Sequence, residues 1–312
     1  MSASEPLLTA RGLRIGQGDK VLIDDVNLDI RPGEIFGVVG RARSGKTALL
    51  ETLVGLRPPL AGSVTLFGNP NPAAISVRRH VGSSLRPSAV ERCTTVTEAL
   101  EFCASLYNCK ADVEGLLREV GLTEARATYR EKLTPPEMAR LSLAMGLVSN
   151  PRVLVADEPT RELDPAGRQQ AWTILRARRD AGVAVILSTT STEEAERLCD
   201  RVALLGNGRV LACDTPAGVV AAGGAPGRMT IETVTPMPGD ALRGLPGITD
   251  VEIDGTLARL LISDPTSALF VIGRAIRDGQ WNVRGLRLSQ ATLEDRFVEL
   301  MRAASGTAGR AS

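Results

Sequence analysis

Eight residues from Gly40 to Thr47, GRARSGKT, fit the spacing G-x-x-x-x-G-K-[ST]. Backbone N–H groups of such a loop converge on phosphate oxygens, and a helix N-terminus behind them adds positive potential. The chemistry is capture of nucleotide phosphates. Lys46 supplies a cation for the β- and γ-phosphates, and the Thr47 hydroxyl reaches Mg²⁺. Gly40, Arg41, Ala42, Arg43, Ser44, Gly45, Lys46, Thr47 and Ala48 are therefore the candidate nucleotide contacts. A second stretch, VLVADEPT, ends an apolar run on Asp157 and Glu158. Asp157 is the candidate Mg²⁺ ligand beside Thr47. Glu158 could polarise an attacking water, a general-base role typically worth about 10²–10⁴ in rate. Lys46 and Glu158 form the candidate catalytic pair. Read singly, the two stretches could be a turn with a chance lysine and a solvated strand end. Together, each in its expected context, they argue against that.

The context is a strand before the loop and a helix after it. EIFGVVG (34–40) reads as a short apolar strand, and GKTALLETLVGL continues as a helix. VLVADE and VAVILST read as two further buried strands, with the helix PAGRQQAWTILRARRDAG between them. Apolar strands separated by helices predict a parallel sheet covered on both faces, with its ligand site outside the strands' C-terminal ends. Between about 88 and 148 the pattern is helical throughout, which predicts a helical subdomain inserted into the sheet domain. Within it, KLTPPEMARLSLAMGL places Leu141, Ala144, Met145 and Val148 at helical spacing behind two prolines, Pro135 and Pro136.

The expected organisation is an α/β ATP-type domain over 1–218, a linker over 219–228 marked by AAGGAPG, a small α+β domain over 229–302, and a disordered tail over 303–312. Thr292 and Asp295 can box the start of the last helix. A length of 312 residues suits about two domains. Basic and acidic residues balance at 37 and 36, so no basic field argues for nucleic acid as a partner. Five cysteines form no C-x-x-C pair and read as reduced thiols. MSASEPLLTARGLRIG carries no apolar leader core, and no apolar run reaches the roughly 18 residues a membrane helix needs. A membrane role would run through a partner.

In order and spacing these motifs resemble the ATP-binding subunit of an ABC transporter, a P-loop NTPase fold, over roughly residues 7–215. The match includes DDVNLDIRPGEIFGVVG, GRARSGKT, LVADEPTRELDP and VILSTTSTEEAERLCDRVALLGNGRVLACDTPAGV. The extension ending in TLEDRFVEL resembles bacterial drug and antibiotic exporters of the daunorubicin-resistance type. The resemblance implies ATP and Mg²⁺ as ligands, an integral-membrane permease and a second ATP-binding subunit as partners, and a peripheral place on the cytoplasmic face of the membrane. It implies head-to-tail dimers, each ATP lying between one copy's phosphate loop and the other's signature motif.

Four positions depart from the resemblance. The signature L-S-G-G-Q is Leu133, Thr134, Pro135, Pro136 and Glu137. As a helix start it is sound: Thr134 at the N-cap, Pro135 at N1, Glu137 closing a capping box. As a phosphate clamp it is poor, because proline has no N–H and Glu137 adds negative charge. The switch histidine is Thr190, and the chain's single histidine, His80, lies far upstream, as a surface or interface residue. The Mg²⁺-side glutamine is Arg86, which could contact a phosphate, an acidic permease loop, or only solvent. The family's adenine-stacking aromatic would fall near Ile15, where an aliphatic side chain could pack against the base but loses the π contact. Asp164 of Leu163-Asp164-Pro165 could face the dimer interface, cap a helix, or both.

Two functions follow. One is an ATPase subunit powering an exporter, favoured by Lys46, Thr47, Asp157 and Glu158. The other is a degenerate, regulatory ATP-binding half, favoured by Thr190, Arg86 and the Pro-Pro signature. Both bind ATP, and hydrolysis is expected to be reduced. A soluble, non-transport ABC protein ranks low, since tandem domains, long coiled coils and zinc cysteines are missing from the sequence.

Overall fold

The structure, a computed structural model, describes residues 5–18, 20–85, 94–222, 227–238, 240, 242–289 and 291–308. It divides into two separately packed units, 1–215 and 216–312.

In chain order the first unit holds β1 (Leu8–Gln17), β2 (Lys20–Ile30), β3 (Ile35–Gly40), α1 (Lys46–Leu53), β4 (Ala61–Leu66), α2 (Ile75–Arg78) and β5 (Val81–Ser84). The helical stretch follows as α3 (Val96–Leu106), α4 (Val113–Val120), a 3-10 turn (Arg130–Lys132) and α5 (Pro135–Leu147). The unit closes with β6 (Val153–Asp157), α6 (Pro165–Asp180), β7 (Ala184–Thr189), α7 (Thr192–Leu198), β8 (Arg201–Gly206) and β9 (Arg209–Asp214).

The main sheet runs β5-β6-β7-β3-β8-β9, parallel except for β9. Its central strands read as unbroken apolar runs because both faces are covered. Phe36 and Val38 join the cluster built by Leu49, Leu50 and Leu53 of α1. On the other face, Gly37 leaves room for Cys199 at the end of α7: a Cβ there would sit 2.6 Å from the thiol sulfur. Each fully buried leucine of α1 contributes about 1.5–3 kcal/mol relative to exposure, so the phosphate-loop helix is anchored by its packing.

An antiparallel sheet, β2-β1-β4, lies over the far side of α1 and shares its core through Leu13, Ile15, Ile23 and Val26. Bulges along β1 interrupt the apolar alternation that would have announced it. Ile15 is 0% exposed and pairs with Ile23, so it is a core residue and offers no face to a base. The aliphatic packing against a base that its position allowed is therefore not available to it. His80 is half-buried, edge-on to the Phe67 ring at 5.9 Å between centroids, and its carbonyl accepts from Arg152 and Val153 N–H. It ties β6 to the turn before β5. Arg86 lies outside the described residues.

The second unit holds α8 (Pro216–Ala221), β10 (Gly227–Thr233), β11 (Ile248–Asp254), β12 (Leu257–Ile262), α9 (Pro265–Arg277), β13 (Val283–Ser289) and α10 (Leu293–Ala308). Its sheet is antiparallel, in the order β11-β12-β10-β13. Met229, Ile231, Leu260 and Ile262 bury against Ala268 and Ile272 of α9. Thr292 and Asp295 form the expected box: Thr292 N–H donates to Asp295 Oδ2 (3.0 Å) and Asp295 N–H to Thr292 Oγ1 (3.3 Å).

Three boundaries differ from expectation. The first unit ends at 215, not 218, and the expected linker is partly taken by α8 and the first residues of β10. The tail expected to be disordered from 303 is helical to Ala308. A capped helix extends at little cost per residue once nucleated, so even AASGTA can continue it.

Candidate functional site

β3 ends at Gly40 and β6 at Asp157, on either side of β7 in the parallel sheet. The loop 41–45 then turns into α1. Gly45 takes φ 101°, and a Cβ there would press within 2.9 Å of the Ile23 side chain. Gly40 is held against the Leu205 carbonyl, where a Cβ would lie 2.7 Å from the oxygen. Both positions require glycine, one for conformation and one for space.

Lys46 reaches back over the loop. Its ammonium is buried, the side chain 4% exposed, and donates to Gly40 O at 2.8 Å and Arg41 O at 3.0 Å. It also lies 3.4 Å from Glu158 Oε1. Thr47 Oγ1 donates to Asp157 Oδ2 at 2.7 Å, and Ser188 Oγ at the end of β7 donates to Asp157 Oδ1. Sequence position brought these together only through the sheet: Asp157 pairs with Ser188 in the β6–β7 register. Lys46, Thr47, Asp157 and Glu158 therefore meet in one cluster. Arg41, Ala42 and Arg43 face solvent, and Ala48 is buried in the helix core.

Two features fit a phosphate and a metal. Ser44 Oγ is buried with no hydrogen-bond partner, a polar atom in the loop left for a phosphate oxygen to satisfy. Thr47 and Asp157 present hard oxygen donors side by side, the chemistry Mg²⁺ takes.

Glu158 sits just past the strand in the left-handed region, φ 48°. For a residue with a Cβ this conformation costs of order 1–3 kcal/mol and must be held by its surroundings. Its N–H donates to Ser188 O (3.2 Å) and Ser188 Oγ (3.0 Å), which holds it. Its side chain is 15% exposed, with Oε2 accepting from Arg161 Nη1 at 2.7 Å. This bond raises the Arg161 pKa above its ordinary value. Arg161 was not singled out from sequence. Its only signal is the three-residue spacing from Glu158 within DEPTRELDP.

Thr190 follows β7 and lines a cavity of about 140 Å³ with Glu158, Arg161, Arg168 and Glu194. Behind it Glu194 Oε1 accepts from Trp172 Nε1 at 2.9 Å and from the Thr160 hydroxyl. The Asp164 carboxylate caps α6, accepting from Gly167 N–H at 2.9 Å.

The helix start at Thr134 takes the capped form. Glu137 N–H donates to Thr134 Oγ1 at 3.5 Å, while Thr134 N–H and Oγ1–H both donate to Glu137 Oε2, at 2.8 and 2.7 Å. These two bonds, the backbone one first, hold the Glu137 carboxyl below its ordinary value. The hydroxyl proton of Thr134 is thus committed within its own helix. The described cysteines are free thiols, and no group of three or more His, Cys, Asp and Glu side chains among the described residues is placed to hold a metal by itself.

Residues 23–161 match the ABC transporter family. Nod factor export ATP-binding protein I of Burkholderia thailandensis is 34% identical over 289 residues, spanning 90% of this chain and 92% of that one. The protein of the same name from Bradyrhizobium diazoefficiens is 34% identical over 227 residues, 70% of this chain and 74% of that one. Among solved structures, an ATP-binding subunit of an ABC transporter superposes with a TM-score of 0.64 at 23% identity, over 69% of this chain and 92% of that one. CbiO1 of Clostridium perfringens, part of the ABC transporter complex cbiONQ, gives 0.59 at 22%, over 70% and 92%. The two structures speak for the fold, and the near full-length relative for the family. With a phosphate loop, a strand-end carboxylate pair and such relatives, the chain belongs to the ABC transporter family, as an ATP-binding subunit.

Proposed function

We propose that this subunit binds Mg·ATP at the β3–α1 loop and couples that binding, with slow hydrolysis, to export through a separate integral-membrane permease. The observation that carries the reading is the single cluster of Lys46, Thr47, Asp157 and Glu158 at the sheet's C-terminal edge. The loop amides and Lys46 bind the phosphates; Thr47 and Asp157 would hold Mg²⁺, and Glu158 would accept a proton from the attacking water. When bound, Mg²⁺ supplies positive charge that neutralises the phosphate oxygens. The export direction rests on the names of the relatives, which are export proteins. Among the described residues no helix is long and apolar enough to cross a membrane, so a permease partner would supply the path. A second ATP-binding subunit would complete the site.

Slow hydrolysis is favoured by a particular observation: the Thr134 hydroxyl already donates to Glu137. Pro135 and Pro136 follow it without an N–H to give. The relatives lend nothing to a purely regulatory role. The test is ATP binding and turnover by the purified chain. We expect binding that Lys46→Ala weakens, and slow turnover that Glu158→Gln removes while binding stays. No binding, or binding indifferent to Lys46, would overturn the reading. A rate matching a subunit with the full L-S-G-G-Q signature would overturn the slow-hydrolysis part alone.

A further inference from the structure

We infer that Arg161 is the positioning residue of this site, holding Glu158 so that one carboxylate oxygen faces the reacting water. The inference rests on the reading of Glu158 as general base. Glu158 is fixed at three points. Its N–H is held by Ser188, its carbonyl accepts from Arg161 N–H at 3.2 Å, and its Oε2 accepts from Arg161 Nη1 at 2.7 Å. The remaining oxygen, Oε1, is the one that faces Lys46, at 3.4 Å. Lys46 has closer partners in Gly40 O and Arg41 O, and its proposed role toward phosphate would draw it off Oε1, the oxygen Arg161 does not hold and the one left to take a proton.

Other groups around the same cavity do not serve this purpose. Thr190 lines the cavity with only a short hydroxyl, in the place where the resemblance expects a histidine. Glu194 is engaged behind the cavity by Trp172 and Thr160 and does not draw Arg161 away. Arg161 itself is 56% exposed, with Glu162 Oε1 3.7 Å from its Nε. An ion pair that open to solvent adds little stability, so its consequence is orientation. The guanidinium keeps its charge at any working pH, which makes it a constant donor.

The test is steady-state ATP turnover by the full chain carrying Arg161→Ala or Arg161→Lys, with ATP affinity and thermal unfolding measured on each. We expect Arg161→Ala to lower kcat at least ~10-fold, within the range of a general-base contribution. KM, ATP affinity and Tm should stay near wild type. A single N–H···O bond needs no planar fork, so Arg161→Lys should recover most of the rate. Turnover unchanged or raised in Arg161→Ala would overturn the inference. So would a loss that Lys does not repair and that ATP affinity follows. If the wild-type chain binds ATP without any turnover, the role of Arg161 falls and the binding reading stands; if it binds no ATP, both fall.

Discussion

Thr47 Oγ1 donates to Asp157 Oδ2 at 2.7 Å, joining residues 110 apart in sequence, and Ser188 fixes the second Asp157 oxygen. The bond exists because β3 and β6 flank β7, so the strand ends deliver the loop and the carboxylate to one edge. It sets two oxygen donors side by side, a pair that would suit a hard cation such as Mg²⁺.

Asp157→Asn keeps the shape and removes the charge. For the wild-type chain, ATP with Mg²⁺ at a hundredfold excess over Kd should add about 2.7 kcal/mol of stability. With a chelator in place of Mg²⁺ most of this gain should vanish. In Asp157→Asn the gain should be small with or without Mg²⁺, as read by thermal shift. A variant that keeps its full Mg²⁺-dependent shift would remove Asp157 from the metal site.

The Thr134–Glu137 box sets the first turn of α5. Thr134→Ala removes the cap and should cost about 1 kcal/mol locally. Hydrogen exchange of the peptide covering 133–147 would show faster opening of its first amides.

The same box carries a pH dependence. Glu137 is held below its ordinary value of 4.5 by the bonds from Thr134. A depressed carboxyl contributes stability that is fully present above the ordinary value and is lost as pH falls through the lower folded one. Protection of the α5 start should therefore be flat above pH 4.5 and decline below it. Glu137→Gln should flatten that limb, because its amide does not titrate. An identical decline in the variant would assign the effect to another carboxylate.

How much of this was legible before the structure depends on range. The phosphate loop and the strands around it read clearly, because G-x-x-x-x-G-K-[ST] is local and the parallel strands are uniformly apolar. The Thr134 and Thr292 boxes were also readable, each being a three-residue signal. The β2-β1-β4 sheet was not, since bulges in β1 break the period that announces a strand. That Ile15 is core, with no face left to pack on a base, was hidden for the same reason: its side is decided by register with Ile23, which a sequence does not display. The Arg161–Glu158 pair depends on a left-handed turn at Glu158, and no side-chain pattern encodes that φ.

The Pro-Pro start of α5 is open to repair. Pro135→Gly, Pro136→Gly and Glu137→Gln together restore two backbone N–H groups and remove a negative charge, at the position where a partner's phosphates would approach. One preorganised donor to a developing oxyanion is worth about 3–4 kcal/mol. Even partial recovery should raise turnover at least ~10-fold, since that needs only about 1.4 kcal/mol. The change is costly to the helix: the box is weakened and two glycines enter the first turn, each about 1 kcal/mol below a good helix former. Exchange at 133–147 should therefore quicken while catalysis improves. The two readouts moving in opposite directions would separate a clamp from a cap. Turnover that stays slow in a triple variant whose helix is intact would locate the defect elsewhere, with Thr190 the next position to change.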